Sequence, residues 1–89
     1  MAYWNHRVLQ RHDPIEGETY VIHEVYYNEN DEITMWTENP VTVEAESVES
    51  LRFTLANMLG ALNKPALREV HLDGKARLIP STRETSKRE

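Results

Sequence analysis

Between Tyr20 and Trp36, apolar and polar residues alternate in two runs around Asn28-Glu29-Asn30-Asp31, the period-two signature of strands joined by a turn. Loop length decides which side chains share a face, because a one-residue slip reverses every assignment. With Glu29, Asn30 and Asp31 as a three-residue loop, Val21, Val25, Tyr27, Ile33 and Met35 gather on one face, together with His23 and Thr37. The opposite face then carries Tyr20, Ile22, Glu24, Tyr26, Thr34 and Trp36. The even register would set Val25 against Thr34 and Glu24 against Met35, mixing polar with apolar partners, so the three-residue loop is the better reading. It asks for a left-handed backbone at Asp31.

An earlier run from Tyr3 to Gln10 reads as a further strand, with Trp4 and Val8 on one face and Tyr3 and Leu9 on the other. The polar segment Arg11 to Glu18, with Pro14 and Gly17, reads as a connection, and the next strand begins near Thr19.

After the hairpin the period changes to that of a helix: Val48, Leu51, Leu55, Met58, Leu59 and Leu62 recur at three- and four-residue spacings. Ser47 is placed to cap its start, and Glu44, Glu46 and Glu49 sit where the positive end of the helix dipole favours acids. Asn63 reads as a left-handed terminator, and Pro65 cannot continue the helix. The stripe reads as core, at about 1.5 to 3 kcal/mol for each buried side chain. Phe53 falls off it, in line with Ala56 and Gly60.

These elements predict a single α+β domain over residues 1–80: a three-stranded antiparallel sheet with one helix across one face, in the order β-β-β-α. Leu67, Val70 and Leu72, the turn-like Asp73-Gly74, and Leu78-Ile79-Pro80 leave room for a short extra C-terminal strand or hairpin. Residues 81–89 have no apolar side chain and are expected to be a disordered polar tail.

Composition narrows the functional classes. The 89-residue chain is long enough for one domain and too short to enclose a deep catalytic cleft. Its net charge of -5 is uneven: residues 1–63 hold eleven acids against three Lys or Arg, while residues 64–89 hold four against seven. An acidic body repels phosphate backbones, so nucleic acid is not expected on it. Without cysteine there is neither a disulfide framework nor a cysteine-based zinc site, and no segment reads as a secretory signal or membrane span. A cytoplasmic protein is the expectation.

The residues that could carry chemistry do not assemble into a motif. His6, His12, His23 and His71 lack the spacing of a preassembled metal site. His23 and Glu24 point to opposite faces of a strand and cannot form a dyad; His23 reads as a satisfied histidine on the helix-covered face. Ser47 and Ser50 are explained by capping, and Gly17, Gly60 and Gly74 are too far apart for a phosphate-cradling loop. No cofactor, metal or small-molecule substrate is inferred, and the chain is not expected to be an enzyme. Tyr20, Ile22, Tyr26 and Trp36, on the sheet face away from the helix, are the candidate partner-binding residues, for self-association or a protein partner.

The segments Trp4-Asn5-His6-Arg7, Tyr20-Val21-Ile22-His23-Glu24-Val25-Tyr26-Tyr27, Trp36-Thr37-Glu38-Asn39-Pro40 and Ser47-Val48-Glu49-Ser50-Leu51 resemble a family of short, uncharacterised bacterial proteins, over about residues 3–66. In shape, strands followed by a Ser-initiated helix are also similar to the partly degraded RNase H-like domains of HicB antitoxins. Here, however, Pro40 to Glu46 replaces the usual glycine-containing segment before the helix. The second resemblance implies an alternative role, an antitoxin-like regulator whose acidic body neutralises a basic protein partner.

Overall fold

The computed structural model describes residues 2–81. Strands β1 (Tyr3–Asp13) and β2 (Gly17–Tyr27) form a long antiparallel ribbon, β3 is Ile33–Trp36, helix α1 is Val48–Gly60, and β4 (Leu67–Leu72) and β5 (Lys75–Pro80) close the fold. The strands make one sheet in the order β3-β2-β1-β4-β5, antiparallel except for the β1–β4 pair. This corrects the expected three-stranded antiparallel sheet. The helix returns the chain to the far side of β1, where β4 pairs in parallel through Leu9 with Leu67 and Gln10 with Arg68. Such a crossover pairing is non-local and leaves no trace in local alternation.

The strands are set by their turns. Asp13 Oδ1 accepts the backbone N–H groups of Ile15 and Glu16, at 2.8 and 2.9 Å, and Gly17 takes φ 86°. The expected connection from Arg11 to Glu18 is therefore mostly strand. Asn28 Oδ1 receives the N–H groups of Asn30 and Glu32, and Asp31 sits at φ 63°, the left-handed position anticipated for it. Asp73 and Gly74, at φ 52° and 78°, form the two-residue turn of the β4–β5 hairpin.

One irregularity rearranges the faces. Tyr27 pairs with Ile33, but Tyr26 pairs with Met35 and Val25 with Trp36, so Thr34 is an extra, bulged residue on β3. The bulge returns Met35 and Trp36 to the opposite sides from those the regular register assigns. Trp36 therefore joins the face of Val25 and Tyr27, and Met35 the face of Tyr26.

A second correction concerns the helix. It lies on the face of Val8 and Ile22, where Val8, Ala61 and Ala66 form a buried cluster against which Ile22 packs. The Val25 face, expected beneath the helix, holds a separate core of Leu9, Val25, Tyr27 and Leu67, with Ile33, Trp36 and Leu78 against it. Trp36 and Leu78 come from the two outermost strands, which a flat sheet would hold about 19 Å apart at about 4.8 Å per strand spacing. Residues from both edges instead line one groove of about 630 Å³, so the sheet curls and closes this core upon itself. A bulge on an edge strand favours such curling.

The helix starts as anticipated: Ser47 is the N-cap and its Oγ accepts the Ser50 N–H at 3.0 Å. It ends differently, running through a turn of 3-10 helix, Ala61–Asn63, into extended Lys64 without a left-handed residue at Asn63. Ser81, assigned from sequence to the polar tail, is buried; its N–H donates to the Ala66 carbonyl at 2.8 Å and its Oγ to Gln10 Oε1. The rest of the expected tail, residues 82–89, lies outside the described residues.

Candidate interaction surface

The four residues singled out from sequence do not share one surface. Tyr20, Ile22 and Tyr26 lie on the helix side of β2, each paired across to β1: with Gln10, Val8 and Trp4. Ile22 packs on the Val8 cluster, whereas Tyr20 is exposed. Tyr26 donates its hydroxyl to Glu24 at 2.5 Å, and this bond pushes the phenol pKa up, because ionising Tyr26 would set two negative oxygens together. Its ring is 6.4 Å from that of Trp4, which also meets His6 edge-on at 5.3 Å. Trp36 is on the reverse side, half-buried against the Leu9 core. Antiparallel pairing brings Trp4 to the group, and the bulge removes Trp36 from it.

The surface that sequence reasoning missed is on the helix. Of the six stripe residues, Met58 is buried and Leu51 half-buried, while Val48, Leu55, Leu59 and Leu62 are 75%, 46%, 63% and 63% exposed. At 100° per residue, Met58 and Leu51 turn one edge of the stripe to the sheet, Leu55, Val48 and Leu59 continue round α1 on the adjoining flank, and Leu62 follows on the 3-10 turn. Phe53 is exposed separately, on another side of the helix. The period of the stripe was legible in the sequence. What covers it was not, because periodicity reports that residues share a face and is silent about the neighbour.

The polar groups are mostly tied to structural partners. His12 lies 3.2 Å from Glu18 and His71 3.1 Å from Glu69, which also pairs with Arg11 at 3.3 Å. Arg7 donates to the Tyr27 hydroxyl at 3.0 Å and to the Pro65 carbonyl at 2.9 Å, stitching the ribbon to the start of β4. His23 is fully buried on the face away from the helix, with Nδ1 at 2.9 Å from the Thr37 carbonyl oxygen and Nε2 without a partner. Burial lowers its pKa, which the Thr37 bond partly offsets.

Among the described residues, no three His, Asp or Glu side chains gather into a metal-binding group. The groove between β3 and β5 is lined by acids (Asp31, Glu32) and bases (Lys75, Arg77) around Trp36 and Leu78. Its hydroxyl, on Thr34, donates to the Tyr26 carbonyl. No described helix is long and apolar enough to cross a membrane. No family model, curated protein or solved structure matches this chain.

Proposed function

We propose that the chain is a non-catalytic protein-interaction module, acting in the cytoplasm, that associates with a protein through the open flank of α1. The observation that carries this reading is the exposure of Val48, Leu55, Leu59 and Leu62 along one side of a helix whose other edge is anchored to the sheet. Contiguous apolar area of this kind, on the order of 400 Å², is at the level where surface patches mark interaction sites. Isolated exposed apolar side chains need no such explanation. Tyr20 and Tyr26, with Trp4, are a second, more polar margin on the same side of the sheet. Trp36, turned to the reverse face, has no part in it.

A photo-crosslinking amino acid in place of Leu59, compared in living cells with one in place of the exposed loop residue Ile15, tests the reading. A discrete protein adduct, of any identity, from position 59 and not from position 15 is the expected result. Indistinguishable adduct patterns would remove the helix flank as a docking surface.

A further inference from the structure

Resting on that reading, we infer that the occupant of the helix flank is a second copy of the same chain, laid antiparallel across a twofold axis at Leu55. About Leu55 the stripe is symmetric except at Met58, which turns to the sheet and whose counterpart three residues before Leu55 is Arg52. Val48 and Leu62 stand seven residues either side of Leu55, and Leu51 and Leu59 stand four either side. In an antiparallel pair centred on Leu55, Val48 of each copy faces Leu62 of the other, Leu55 meets itself, and Leu59 reaches the open margin of half-buried Leu51. A twofold interface must be self-complementary in this way, with each residue's partner returning the same contact.

The chemistry of the flank agrees with this occupant. The exposed residues brought together, Val48, Leu55, Leu59 and Leu62, are all apolar, with Arg52 at the margin beside Leu59, where its charge stays in solvent. A parallel arrangement would set Val48 on Val48 and Leu62 on Leu62, bringing like ends of the two helix dipoles together, whereas the antiparallel one opposes them. Each copy contributes on the order of 400 Å² of apolar surface, about half of the roughly 800 Å² a standard interface takes from each partner. So small an area makes the dimer weak and concentration-dependent. Because the contact is apolar, it survives salt that would screen an association between acidic and basic surfaces.

The absence of native cysteine makes the geometry directly readable. Under mild oxidation of the full chain, Leu55→Cys should crosslink to itself, and Val48→Cys should not. An equimolar mixture of Val48→Cys and Leu62→Cys should crosslink to each other, since paired residues across close-packed helices come within disulfide reach. Sedimentation over a concentration series should show wild type and the control Ile15→Arg as dimers at the upper end, in low and high salt. Leu55→Arg, which opposes its own charge across the axis, should weaken dimerisation by more than about 100-fold with an unchanged circular dichroism spectrum.

A wild-type monomer throughout, or a dimer that crosslinks through Val48→Cys alone, overturns the inference. If the position-59 photo-adduct is then a different protein, only the choice of occupant falls. If there is no adduct either, the interaction reading falls with it.

Discussion

Acidification should destabilise this fold through one ring. His23 is fully buried, and the Thr37 carbonyl 2.9 Å from Nδ1 can only accept, so Nδ1 carries the proton and Nε2 the lone pair. Nε2 is buried with no hydrogen-bond partner. A second proton would place both a charge and a donor where no acceptor faces it. Burial is the main reason the ring holds a pKa below its ordinary 6.5, and the Arg11 cation adds to it, against the Thr37 bond and the Glu69 carboxylate.

In the unfolded chain the ring protonates near pH 6.5, before the folded one does, so the unfolded state binds more protons below that pH. The contribution of His23 to stability is therefore complete above about pH 6.5 and is lost as pH falls towards the folded pKa. One proton limits the slope to about 1.4 kcal/mol per pH unit. Urea unfolding of wild type and His23→Asn between pH 8 and pH 5 measures it. Asn keeps an N–H near Nδ1 for Thr37, and the vacated space costs about 1 to 3 kcal/mol at pH 8. The variant's stability should then fall less steeply than wild type below pH 6.5. Asp13, whose carboxyl is held below the usual range by the N–H groups of Glu16 and Ile15, is present in both proteins and cancels. Parallel stability curves, or a folded-state NMR titration of His23 at or above pH 6.5, would show that burial of this ring is not what makes the fold acid-sensitive.

Two further predictions concern the bulge and the curled core. Trp36→Ala should lose about 2 to 3 kcal/mol and Met35→Ala less than about 0.5 in chemical denaturation, because the bulge turns Trp36 onto the Leu9 core and leaves Met35 exposed; comparable losses would mean the faces are misassigned. Deleting Thr34 should leave a folded protein, since Tyr27–Ile33, Tyr26–Met35 and Val25–Trp36 then follow one regular register; exposed Trp36 fluorescence in a Trp4→Phe background would contradict this. Leu9→Ala, at a fully buried site clustered with Val25 and Tyr27 of β2 and Leu67 of β4, should cost about 3 to 4 kcal/mol and lower Tm by well over 10 °C. A loss below about 1 kcal/mol would show that the concave face is not the principal core.

Features whose causes lie within a few residues of one another are legible in the chain. Alternation marked the strand segments, Ser47 and the three- and four-residue spacings marked α1, and Asp31 and Asp73-Gly74 marked turns that the backbone makes with left-handed residues. The tertiary structure decided what depends on distant partners. Thr34 is not distinguishable as a bulged residue until β3 is laid on β2, and that one extra residue exchanges the sides of Met35 and Trp36. Only the crossover brings Leu67 beside Leu9, and only the curl of the sheet brings Trp36 and Leu78 over one core without a covering layer. Because that core closes on itself, the opposite face is covered by Met58, the buried residue of α1, and by Ala61 of the 3-10 turn, and Val48, Leu55, Leu59 and Leu62 stay open. An apolar period states which side chains point together; burial is a property of two surfaces, and the second is not written in the first.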